Sequence, residues 1–143
     1  MSDRRPTALV TGPTLYCVLL YMNWGRPPLN DVKVRQALNY GVNREEFNQA
    51  TMNGLSEPAG ITLPSAHWAF DAAMAKRYPY DPDKAKALLA EAGYKDGLDL
   101  LALGYTDQRH IQRQEVLIEQ YRKVGIRLKF QNGTIPEMTN AYM

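Results

Sequence analysis

Leu98-Asp99-Leu100-Leu101-Ala102-Leu103 is followed, after a short polar connection, by the stretch Gln108 to Val124 and then by Ile126-Arg127-Leu128-Lys129-Phe130-Gln131. These three pieces decide the fold. The first is apolar without alternation and reads as a strand buried on both faces. In the second, Ile111, Leu117, Ile118, Tyr121 and Val124 form the buried stripe of a long helix, and Gly125 stops it. In the third, Ile126, Leu128 and Phe130 alternate with Arg127, Lys129 and Gln131, the pattern of a strand with one wet face. Strand, helix, strand is a right-handed parallel crossover, so the fold class is α/β.

Working outward, Lys95-Asp96-Gly97 reads as the turn before the first strand. Asp81-Pro82-Asp83 is a helix start: an aspartate cap, a proline whose missing N–H does no harm in the first turn, and a second acid at the positive end of the dipole. Ala85, Leu88, Leu89 and Ala92 supply that helix's buried stripe, and Gly93 ends it. Downstream, Asn132-Gly133 reads as a turn, and Thr134 with Glu137 opens another capped helix.

Upstream, Val34, Ala37, Leu38 and Gly41 predict a short helix from about Val32, capped by Asp31 or Asn30. Asn43 and Glu46 are spaced as reciprocal caps of a second helix, which Gly54 stops. Glu57 to Tyr80 has scattered Pro and Gly and predicts a long ordered loop with one turn of helix. Leu15 to Asn23 is nearly all apolar and predicts another strand buried on both faces, ended by Arg26-Pro27-Pro28.

Composition bounds the function. A chain of 143 residues with 45% hydrophobic residues makes one domain with a real core. A net charge of +2, with both signs mixed along the chain, argues against nucleic acid as a partner. The single cysteine, Cys17, lies in the apolar run and reads as a small buried hydrophobe. His67 and His110 follow no metal-ligand spacing, and no cofactor motif is present. Glu45 and Glu46 are neighbours, which do not face each other on a helix. With no nucleophile–base set to defend, the chain is expected not to be an enzyme, and composition alone stops at a soluble α/β domain. The run Leu15 to Met22 is too short to span a bilayer. It lacks the flanks of a signal peptide, so the chain is expected to carry no address of its own.

Two places are candidate sites. Open α/β sheets bind ligands beyond the carboxyl ends of their strands. Tyr105, Thr106, Asp107, Gln108, Arg109 and His110 fill that position between the first strand of the crossover and its helix. Free N–H groups at a helix start favour an anion, and Arg109 can add a forked, charge-assisted grip on a carboxylate. These residues are equally able to be plain loop and cap residues. The second candidate is Trp68, in the loop Ser65 to Phe70, as an aromatic that closes over a ligand or seals the core beneath the loop.

Three ordered blocks add a resemblance. Asn23-Trp24-Gly25-Arg26-Pro27-Pro28-Leu29-Asn30-Asp31-Val32-Lys33-Val34-Arg35-Gln36-Ala37-Leu38-Asn39-Tyr40 resembles the "PPF-D-D-V-x-V-R-x-A-L-x-Y" segment of the family 5 extracellular solute-binding proteins. Tyr78-Pro79-Tyr80-Asp81-Pro82-Asp83-Lys84-Ala85-Lys86-Ala87-Leu88-Leu89-Ala90-Glu91-Ala92-Gly93-Tyr94 is closer still to that family's "Y-x-Y-D-P-E-K-A-K-A-L-L-x-E-A-G-Y". Lys123-Val124-Gly125-Ile126 resembles its "K-(V/I)-G-(I/V)".

The resemblance implies a partial lobe of a class II periplasmic-binding-protein-like fold at residues 15–143. Residues 1–14 would be an N-terminal extension or cloning junction. It implies a two-lobed, periplasmic or extracytoplasmic parent protein, several times longer, that traps a small peptide and passes it to a membrane ABC permease. A lobe of a glutathione, opine, sugar or metal-complex binder of the same family is the alternative; a free-standing interaction domain is a weaker one. In the dipeptide-binding branch an arginine in this loop receives the peptide's C-terminal carboxylate, and Gln108-Arg109 echoes that pattern in a shorter loop. The branch's tryptophan and aspartate for the amino group would fall beyond Met143. Arg35 reads as structural, with an ion pair. Apolar strands without their covering partners predict a homo-oligomer.

Overall fold

The computed structural model describes residues 17–142, so Leu15, Tyr16 and the 1–14 extension lie outside the described residues. The element order is α1 (Val32–Tyr40), α2 (Arg44–Met52), α3 (Ala72–Ala75), α4 (Pro82–Glu91), β1 (Leu98–Tyr105), α5 (Gln108–Lys123), β2 (Ile126–Gly133) and α6 (Ile135–Tyr142).

Side-chain caps set the helix starts. Asp31 accepts from the Lys33 N–H at 2.7 Å, Asn43 from Glu46 at 3.1 Å, Asp81 from Lys84 at 2.9 Å and Asp107 from His110 at 3.2 Å. Each satisfies a donor that the first turn of a helix leaves without an intrahelical acceptor. At α6 the Glu137 carboxylate accepts from both the N–H and the hydroxyl of Thr134, each at 2.7 Å. The return arm of the Asn43–Glu46 pair is replaced. Glu46 accepts instead from Gln120 Nε2 at 3.3 Å and lies 3.5 Å from Lys123 Nζ, tying α2 to α5. Asp81 also donates its own N–H to the Tyr40 carbonyl at 2.9 Å, so the cap of α4 is pinned to the end of α1. Asp81→Ala is expected to lower stability by about 1 kcal/mol through loss of the cap. A denaturant melt with an unmoved midpoint would show that the carboxylate contributes nothing.

The two strands pair in parallel, in register from Leu98 opposite Ile126 to Tyr105 opposite Gly133. Asn132 and Gly133 are therefore not a turn. They extend β2, because Gly104 and Tyr105 continue to offer a pairing edge. The two-sided burial expected of β1 also fails. Leu98 is 4% exposed, but Leu101 is 69% exposed. The outer face carries an ion pair between register partners: Arg127 donates from Nε and Nη2 to the two oxygens of Asp99 at 2.8 and 2.7 Å. These bonds hold the Asp99 carboxyl below its ordinary range.

The core lies where α1, α4, the C-terminal end of α5 and the inner face of the strand pair meet. Val34, Ala37, Leu38, Ala85, Leu89, Leu98, Tyr121, Val124, Ile126 and Leu128 are buried in it. The Tyr121 hydroxyl donates to the Leu38 carbonyl at 3.2 Å, and burial pushes its phenol far up, keeping it a donor. Beside it Arg44 donates to the carbonyls of Asn39 and Tyr78 and to Asn39 Oδ1 at 3.0–3.3 Å. Burial lowers the Arg44 guanidinium from its ordinary value.

Three further expectations are corrected. Residues 17–23 form no strand, and Val18, Leu19, Leu20 and Tyr21 are exposed. The apolar run signals a need for cover but does not supply the pairing edge that a strand requires. Cys17 is half-buried, its Sγ 3.1 Å from the Thr62 carbonyl oxygen to which it donates. Arg35 is structural, but among the described residues its partners are backbone carbonyls and not a carboxylate. Its Nη1 donates to Leu29 at 2.8 Å and Asn30 at 3.0 Å, fixing the turn before α1.

Candidate functional site

Both strands end at the same level, and the helix that follows each one starts there. Two helix N-termini, those of α5 and α6, thus sit at the carboxyl end of the parallel pair. They are not equivalent. The α6 start is filled by its own Glu137 carboxylate, held low by the Thr134 N–H and hydroxyl. At α5, Asp107 takes the His110 N–H, and Ile111 begins the helical ladder by donating to the Asp107 carbonyl at 3.0 Å. The N–H groups of Gln108 and Arg109 have no acceptor among the described residues.

The side chains around this start are ordered by one another. Tyr105, at the end of β1, meets the His110 ring edge-on with centroids 5.0 Å apart. His110 Nδ1 is in close contact with Asp107 Oδ2. Desolvation pushes the Asp107 carboxyl up, but the bonds from the His110 ring and N–H, with the charges of His110 and Arg109, outweigh it and hold the group below its ordinary value. From the second turn of α5, buried Gln114 donates to the Tyr105 carbonyl at 3.1 Å. Gly104 leaves room for this contact, because a Cβ there would displace the side-chain ends of Gln114 and Asn132. Thr106, Gln108 and Arg109 are exposed, and Arg109 has no ion pair among the described residues.

Of the residues singled out in the sequence, Tyr105, Thr106, Gln108 and Arg109 are thus gathered at one edge. Trp68 is not part of this cluster by any contact. It is 92% exposed, stacked on His67 with centroids 5.6 Å apart, and seals no core. Asp107, His110 and Gln114 organise the edge. Gln114 was missed, and its signal was a polar residue on the buried stripe of a helix. The site is an open surface. Hollows of about 330 and 290 Å³ lie elsewhere, the first at the opposite, Gly97–Gly125 end of the strands and the second between α2 and α5. No group of His, Cys, Asp and Glu among the described residues could hold a metal, and no described helix is long and apolar enough to cross a membrane.

A parallel strand pair with helix starts gathered at its carboxyl end is an α/β crossover unit, and in open α/β sheets ligands sit beyond that end of the strands. Residues 2–141 match the model of the bacterial extracellular solute-binding proteins, family 5 Middle, and the chain belongs to that family. It is 34% identical over 134 residues to the dipeptide-binding protein of Escherichia coli K12, covering 90% of this chain and 25% of that protein. It is 34% identical over 110 residues to heme-binding protein A of Haemophilus influenzae, covering 73% of this chain and 20% of that protein. Among solved structures, MoaA of A. tumefaciens R10, bound to mannopinic acid, superimposes with a TM-score of 0.75 at 27% identity, over 83% of this chain and 24% of that one. The chain therefore spans a fifth to a quarter of the relatives it matches. The expected fold class, a partial lobe of a periplasmic-binding-protein fold, agrees with these neighbours.

Proposed function

We propose that this chain forms one wall of the ligand pocket in an extracytoplasmic solute-binding protein of an ABC importer, and that its role is capture without catalysis. Residues 15–143 make that partial lobe, and the family match itself begins at residue 2. The ligand is a small peptide, held by its carboxylate at the start of α5. The observation that carries this reading is the pair of unaccepted N–H groups of Gln108 and Arg109 beside an Arg109 side chain with no carboxylate partner among the described residues. Backbone donors at a helix N-terminus and a guanidinium are complementary to a carboxylate. Tyr105 and Thr106 line the approach, and Trp68 offers an exposed ring to the ligand or to the facing lobe.

The relatives support the peptide: one binds a dipeptide by name. The neighbour bound to mannopinic acid favours a second reading, another organic acid, which keeps the same carboxylate contact. The partners that follow are the solute and a membrane permease. The homo-oligomer expected from bare apolar strands has no support.

Calorimetry on the full-length protein carrying this chain tests the proposal, with a dipeptide and its C-terminal amide as titrants. The acid is expected to bind at least about tenfold more tightly, the difference that 1.4 kcal/mol makes. Equal affinities would remove the carboxylate from the reading.

A further inference from the structure

We infer that His110 is a positioning residue that keeps Arg109 available to ligand by occupying the Asp107 carboxylate. The inference rests on the carboxylate-binding role proposed for Arg109. An acid two residues from the guanidinium, at a site meant for an anion, is a competitor, and Asp107 is close enough for the Arg109 charge to lower its carboxyl. Left alone, that carboxylate would be expected to pair with Arg109 and cancel the site. Both of its oxygens are already used. Oδ1 accepts the His110 N–H at 3.2 Å, and Oδ2 faces His110 Nδ1. The imidazole in turn packs edge-to-face with the Tyr105 ring, centroids 5.0 Å apart, and Tyr105 is fixed through its carbonyl by buried Gln114. The strand end and the second turn of α5 thus set the ring, the ring holds the acid, and Arg109 is left with no carboxylate partner among the described residues.

The test uses the full-length protein, with Ala-Ala and its C-terminal amide as probes. His110→Ala should weaken Ala-Ala about tenfold while leaving the much weaker amide unchanged, because Arg109 is drawn onto Asp107 Oδ2 and not because the lobe is damaged. Adding Asp107→Asn, which keeps a capping oxygen but removes the charge, should restore the acid to within about threefold of the parent. A merely structural role for His110 would not be rescued in this way. Unchanged Ala-Ala affinity in His110→Ala, or failure of Asp107→Asn to rescue, overturns the inference. If Arg109→Ala also leaves Ala-Ala unchanged, the reading of the site itself has failed. Proton NMR of this chain gives a ligand-free check. The Arg109 Nε–H should exchange with water more slowly in His110→Ala than in the parent, and rapidly again in the double variant. Exchange that is the same in all three would also overturn the inference.

Discussion

In denaturant melts of this chain, Leu98→Ala is expected to lower stability by about 2–5 kcal/mol, the range for truncating a buried leucine. Leu101→Ala, on the same strand, is expected to shift it by no more than about 0.5 kcal/mol. Leu98 is 4% exposed and belongs to the buried core cluster with Val124 and its register partner Ile126, so truncation leaves a cavity in that core. Leu101 is 69% exposed and leaves none. Against a total stability of about 5–15 kcal/mol, the first change is a large part of the whole. Equal effects at the two positions would mean that the outer face of β1 is covered after all.

The second large effect is on binding. Arg109→Ala in the full-length protein is expected to weaken a carboxylate-bearing ligand by roughly 1.5–3 kcal/mol, the contribution of a hydrogen bond to a charged group. The Gln108 and Arg109 N–H groups remain in the variant, so some preference for an anion persists. Calorimetry on parent and variant measures the difference. An unchanged affinity would reduce Arg109 to a surface residue at the start of α5.

What could be read from the sequence was what depends on near neighbours. The caps at Asp31, Asn43 and Asp81 are contacts within three residues, and all three form. The alternation of β2 also survives, since one face of that strand meets the core and the other meets water. What failed depends on partners distant in sequence. The run before Met22 is apolar, but nothing local supplies a strand beside it. Asn132-Gly133 has turn chemistry, yet cross-strand pairing with Gly104 and Tyr105 overrides it. Arg35 is a local exception: it found two carbonyls where a carboxylate was expected, because the turn before α1 brings Leu29 and Asn30, six and five positions back, over the helix. The end of the first strand and the start of the long helix were enough to place Tyr105 to His110 at the junction of β1 and α5. Gln114 was legible as a polar residue on the buried stripe of α5, but its acceptor, the Tyr105 carbonyl, follows only from how α5 packs on β1.

Asp99 and Arg127 lie 28 positions apart, and every rung of the ladder repeats that spacing. The spacing makes the two ends of the crossover unequal as places for change. At the far end, the Gly125 carbonyl receives the Leu98 N–H at 3.0 Å, and a Cβ on Gly97 would meet that same oxygen at 2.9 Å. An inserted residue there would displace the pairing. At the near end, Thr106 is exposed and has no such contact among the described residues. An insertion between Tyr105 and the cap of α5 can be absorbed as surface chain, leaving ladder and core in place. The crossover thus confines variation in length to the edge where ligand would be read, and a lineage could retune selectivity there without renegotiating the frame.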